Sequence, residues 1–132
     1  MQQAIFKVQE SLVNAFWWVD AAELRGGEAL RNHLIPEITT LADESHCQQR
    51  LLHSAIFRSI DLQSTTLAVV TTRETWEDTL FTYEPGWCYG YEEDPLNQRG
   101  PYPLDVTYTL ELIAGEWQVT HVIYTNEPPA WE

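Results

Sequence analysis

Over the last third of the chain apolar and polar residues alternate with a period of two. In residues 104–112, Leu104, Val106, Tyr108, Leu110 and Leu112 fall on one face and Asp105, Thr107, Thr109 and Glu111 on the other, the pattern of a half-buried strand. Past Ala114-Gly115 a second run, residues 116–124, sets Trp117, Val119, His121 and Ile123 on one face. The two runs read as a β-hairpin. The N-terminal pattern has a different period: Ile5, Val8, Leu12, Ala15, Phe16, Val19 and Ala22 recur at steps of three and four, which predicts an amphipathic helix from residue 3 to about residue 22. Trp17 and Trp18 are adjacent and cannot share a helix face, so at least one covers a rim. Arg25-Gly26-Gly27 is the expected stop, because paired glycines favour a turn over further helix.

Residues 28–34 predict a short second helix, ended where Ile35 precedes Pro36 and is pushed out of the helical region. Pro36 then opens a third helix through Ile38 and Leu41, running at most to Leu51. Strand character begins at residues 55–62, pauses at Gln63-Ser64 and resumes over residues 65–83, rich in Thr, Val and aromatics. There Ala68, Val70, Thr72, Glu74 and Trp76 share a face, and a strand of that length must bend or bulge in a small domain. Residues 84–103 hold four of the seven prolines and three of the six glycines and read as a long loop, packed down by Trp87, Tyr89, Tyr91 and Tyr102 as a lid. The expected organisation is one α+β domain over residues 1–126 and a tail over residues 127–132.

Twenty acidic residues against seven basic ones give a formal charge of −13, spread along the chain. Such a field repels nucleic-acid backbones and anionic lipid and suits a basic protein partner. No stretch of about 18 apolar residues offers a membrane span, and no leader pattern opens the chain, so direct membrane insertion is not expected and a cytoplasmic location is. Cys47 and Cys88 are expected as free thiols, since a disulfide requires an oxidising compartment. The four histidines show no metal-ligand spacing, there is one lysine, and no phosphate-cradling glycine motif or nucleophile elbow occurs; no metal, cofactor or nucleotide is expected.

Two constellations carry the candidate chemistry. On the strands, Glu74 beside Trp76, and His121 on the face of Trp117 and Val119, with Tyr108 across from them, are candidates to line a pocket, where a carboxylate or imidazole among apolar neighbours can move a proton. Each also fits a plain structural role, as a solvent-facing strand carboxylate and a core histidine. In the loop, Trp87, Tyr89 and Tyr91 at alternate positions suit a stacking or anchoring platform, with Glu92, Glu93 and Asp94 as a charged rim.

The segment 68–76 (AVVTTRETW), followed by Tyr108-Thr109-Leu110-Glu111-Leu112 and Gly115-Glu116-Trp117-Gln118-Val119, resembles the NTF2-like (cystatin-like α+β) superfamily, in which N-terminal helices pack on a curved antiparallel sheet to form a cone. More narrowly it is similar to non-catalytic C-terminal domains of cyanobacterial and plastid division proteins and of some bacterial membrane-anchored or kinase-linked proteins. That resemblance implies a non-catalytic interaction or scaffold domain. Apart from it, a homodimer is one expected form of assembly. It also admits an isomerase, dehydratase or cyclase with its pocket inside the cone. A third expectation, from the charge alone, is an acidic mimic of nucleic acid.

Overall fold

Leu12, Ala15 and Phe16 and their neighbours at helical spacing form the stripe that fixes the first element. In the computed structural model, which describes all residues 1–132, α1 spans Gln2–Trp18 and buries Ile5, Val8, Leu12, Ala15 and Phe16. It stops earlier than the glycine pair: Val19 takes a left-handed conformation and caps it, and a 3-10 turn, Ala21–Glu23, follows with the Asp20 side chain accepting from the Ala22 N–H. The second helix, α2, is continuous over Glu28–Asp43 with Pro36 inside it, which corrects the expected break. Leu30, Leu34, Ile38 and Leu41 are buried along one stripe, while Pro36 is exposed. An interior proline costs about 3 kcal/mol, and four large apolar side chains packed on the sheet outweigh that.

The strands are β1 (His46–Leu62), β2 (Leu67–Glu84), a short β3 (Trp87–Cys88), β4 (Asn97–Ile113) and β5 (Glu116–Tyr124). They form one antiparallel sheet in the order β1-β2-β4-β5, with β3 hairpinned onto the end of β2. Both corrections to the strand map concern polar segments. β1 begins at His46, where a helix was expected, because Gln48 and Arg50 point inward and are buried. β4 begins at Asn97, inside the expected loop; its prolines Pro101 and Pro103 are tolerated because β5 pairs only from Val106 onward, leaving that stretch bonded on one side.

Irregularities give the sheet its curvature. Register shifts fall near His53 and Arg58 in β1, between Trp76 and Asp78 in β2, and between Thr109 and Leu110 opposite β5. The helices cover the concave face, and Trp76, Tyr108, Leu104, Leu110, Val70 and Val106 meet Phe16, Ile5, Leu30 and Leu34 in one core. This is the expected α+β cone, with N-terminal helices on a curved antiparallel sheet. Gly27 is required at its position: with φ near +99°, a Cβ there would lie 2.2 Å from the Thr120 carbonyl oxygen.

Candidate functional site

The alternation along β2 that put Glu74 and Trp76 on one face brings both into the interior, each about 1% exposed. Glu74 accepts from Thr72 Oγ1 at 2.7 Å, Trp76 Nε1 at 3.0 Å and Tyr108 Oη at 2.6 Å. Burial, and then the adjacent Glu74 carboxylate, hold the Tyr108 phenol well above its ordinary range. One turn of the pleat further on, Asp78 is wholly buried and accepts from Arg50 Nε at 3.3 Å, Arg99 Nε at 2.8 Å and the Tyr102 hydroxyl. The Arg50 guanidinium lies 4.9 Å from each of the Phe16 and Trp76 rings. Burial is the largest single influence and opposes its charge, but Asp78 together with Tyr102 and Tyr124 outweighs it and keeps the guanidinium firmly protonated. Tyr102 is pushed up to about 12, by burial first, with Arg50 pulling down and Asp78 pushing up. Tyr124 is also raised, chiefly by burial.

Glu74 and Asp78 with their donors form a paired polar ladder inside a filled cone, and of the residues named only Tyr124 has a buried hydroxyl without a partner. The cavity beside Gln48, Arg50 and Tyr124 has a volume of about 10 Å³, room for no more than one solvent molecule. The C-terminal tail closes it from outside: Arg99 donates to the Pro129 carbonyl at 3.0 Å and stacks 4.3 Å from the Trp131 ring, and Asn97 donates to the Glu132 carbonyl at 2.7 Å. Residues 127–132 are therefore folded back onto β4.

His121 is placed differently from the sequence pattern. Leu110 pairs with Val119 and Thr109 with His121, so the extra residue, Thr120, reverses the alternation. Trp117 and Val119 face α1, after which Val122 is the buried residue, 4% exposed, and Ile123 is 48% exposed. His121 leaves the face of Trp117 and Val119 and joins no acid–base pair with Glu74. Trp117 is half-buried and lines a separate concavity near the start of α1.

The loop residues gather at the other end of α1. Contrary to the expected free thiols, Cys47 and Cys88 form a disulfide, both buried, tying β1 to β3. Beyond β3 the chain turns back, with Glu92 and Glu93 N–H groups bonded to the Tyr89 carbonyl. Gly90 sits under Trp17, where a Cβ would come within 2.3 Å of the indole. Trp17 in turn packs edge-on to Phe81 at 6.4 Å and lies 5.4 Å from the Tyr91 ring. Tyr91 is nonetheless 85% exposed, Trp87 49% and Trp18 47%, and Glu92, Glu93 and Asp94 are all exposed. Trp87, Tyr89 and Tyr91 make no ring pair with one another; the Tyr89 phenol is raised by the Glu84 carboxylate. Sequence reasoning missed Trp17 as the loop's support and missed Arg50, Asp78 and Arg99. The signal for the last group was the alternation of Gln48, Arg50 and Leu52, readable as a strand once charges are allowed inside.

No family model matches the chain, and no curated protein matches it. Solved structures do. The chain is similar to the intermembrane-space region of the chloroplast protein ARC6, with a TM-score of 0.64 and 14% identity over 93% of this chain and 92% of that one. It is similar to a periplasmic fragment of TraM, with a TM-score of 0.57 and 11% identity over 96% of this chain and 98% of that one. A looser likeness, TM-score 0.49 and 13% identity over 93% and 97% of the two chains, is to an NTF2-like protein of unknown function from Shewanella oneidensis MR-1. The first two likenesses concern the fold, N-terminal helices packed on a curved antiparallel sheet.

Proposed function

We propose that this domain is a non-catalytic protein-interaction module and that the disulfide-pinned corner is its contact surface. The observation that carries the reading is the filled cone. Glu74 and Asp78 have the burial expected of catalytic carboxylates, yet every donor around them is another side chain of the ladder, and the adjoining cavity of about 10 Å³ admits no organic substrate. Large aromatic side chains are instead spent on the surface. Trp18, Trp87 and Tyr91 stand exposed beside Glu92, Glu93 and Asp94, an arrangement of anchors and charged rim that suits a basic partner.

The Cys47–Cys88 bond further supports work in an oxidising compartment rather than the cytosol, and the two structural neighbours are described as from an intermembrane space and a periplasm. The test is affinity capture from the native source with wild type and with Trp87→Ala/Tyr91→Ala. Loss of a basic partner at an unchanged melting temperature is the expected result. A large fall in melting temperature with capture retained shows that the rings belong to the core and sinks the proposal. Alkylation of thiols in intact cells checks the compartment: two free thiols on the native protein rule it out.

A further inference from the structure

A second surface lies at the opposite end of α1. Of the seven basic residues, Arg50 and Arg99 pair with Asp78, and Arg58 and Arg73 with Asp105. Lys7, Arg25 and Arg31 enter no ion pair, although acids outnumber bases by twenty to seven. Lys7 and Arg25 both line one open concavity of about 620 Å³, together with Val8, Trp117 and Val119, and the only acid there is Glu116. Arg31 lines the adjoining depression, which also includes Arg25. The first turn of α1, also at this mouth, carries no acidic residue, so the positive end of the helix dipole is not neutralised from within.

The site is built rather than incidental. The Arg25 backbone N–H donates to Ser11 Oγ at 3.1 Å, and Ser11 Oγ donates to the Val8 carbonyl at 2.6 Å. Gly26 is buried so tightly that a Cβ would meet Leu30, Val122 and Val8 within 3.2 Å. The bulge at Thr120 decides which β5 residues face this end, leaving Trp117 and Val119 turned toward α1. The result is an apolar, partly aromatic floor under two unneutralised cations, in a molecule otherwise strongly negative. A carboxylate brought here gains charge-assisted hydrogen bonds, while an apolar neighbour covers the indole.

We infer that this concavity binds an acidic peptide segment of a protein partner, one that alternates carboxylate and apolar side chains. The inference rests on the interaction reading above but places a second contact, of opposite charge preference, about 15–20 Å along α1 from the aromatic corner. A peptide fits better than a small acid because two cations, a helix end and an elongated apolar floor offer several spaced contacts in an open site.

The test uses the full chain, labelled with nitrogen-15, and reads the Trp117 indole N–H signal, assigned with Trp117→Phe. The probes are a capped hexapeptide alternating Glu and Leu, its Lys–Leu counterpart, and 3-phenylpropionate. The Glu–Leu peptide is expected to shift Trp117 saturably and more weakly as salt rises; the Lys–Leu peptide is expected to leave it unmoved. Lys7→Glu with Arg25→Glu should weaken the Glu–Leu titration about tenfold or more without altering the melting temperature. Absence of saturation at millimolar peptide, equal response to the Lys–Leu peptide, or an unaffected charge-reversal variant overturns the site. Binding of 3-phenylpropionate as tight as that of the peptide reassigns it to a small acid. A sedimentation coefficient that rises with protein concentration and falls back in the charge-reversal variant reassigns it to a second copy. The two proposals separate cleanly: capture that needs Trp87 and Tyr91 while the Glu–Leu titration fails removes this site alone, and the reverse result removes the corner alone.

Discussion

Glu74 shows how a single carboxylate can be structural while carrying the outward marks of catalysis. Three donors converge on it from two strands, so Glu74→Ala leaves Thr72, Trp76 and Tyr108 with buried, unmet hydrogen-bonding groups. We expect a cost of about 3–5 kcal/mol in urea denaturation; a cost below about 1 kcal/mol means that the donors find other partners. The tyrosines give a pH signature. In the unfolded chain a phenol ionises near pH 10, whereas burial raises Tyr102 to about 12 and holds Tyr108 well above the usual value. Folding therefore favours the protonated form: this contribution is intact below about pH 10 and is lost as pH rises from there through about 12. Alkaline titration followed by phenolate absorbance should show Tyr102, Tyr108 and Tyr124 ionising late, together with unfolding, and an early, independent titration of all six tyrosines is the contrary result. Glu74, Trp76 and Tyr108 were legible in the sequence because their face is otherwise apolar. Arg50 and Asp78 were not, because hydrophobic patterning treats a charge as an outward mark, and only tertiary pairing makes an inward one tolerable.

At the level of elements, the legible parts were those in which one period runs on for several residues without a bulge: α1, β2 as far as Trp76, and β4 from Leu104 to its turn into β5. Each failure has a local cause. Pro36 suggested a break that the stripe of Leu30, Leu34, Ile38 and Leu41 bridges, and the bulge at Thr120 is invisible to strict alternation because one inserted residue exchanges the two faces. That bulge makes a sharp comparison possible. Val122→Ala should cost about 1–3 kcal/mol, since its side chain is 4% exposed, and Ile123→Ala less than about 0.5 kcal/mol, since it is 48% exposed. Unbroken alternation demands the opposite order, so paired urea melts decide it. The β4–β5 turn itself was readable from Ala114-Gly115, and both residues take positive φ, 51° and 80°, as a two-residue hairpin requires.

For the molecule as a whole, the disulfide adds what neither core nor charge supplies. It closes a loop with a sequence separation of 41, for which chain-entropy reasoning gives about 4 kcal/mol. Cys47→Ser/Cys88→Ser should lose most of that in urea denaturation, and wild type with reductant should match the variant; no difference between oxidised and reduced protein shows that the β3 corner contributes nothing to global stability. The pairing escaped the sequence because two cysteines 41 positions apart carry no spacing signal, and only the β1–β2 and β2–β3 registers together bring them into contact. The β1–β2 register leaves β1 at the border of the sheet, seventeen residues long, with Leu51, Ile56, Ile60 and Leu62 each at least 47% exposed. A straight border of that length and composition is a template on which foreign strands add and fibrils grow. The shifts near His53 and Arg58 cut it into runs of seven, four and four residues, His46–Leu52, Ser54–Phe57 and Ser59–Leu62, whose free N–H and C=O groups no longer fall in one line, so the exposed Ile56, Ile60 and Leu62 lie on runs shorter than strand addition favours. Curvature acquired to wrap two helices thus also shortens the straight rim that the fold offers to a foreign strand.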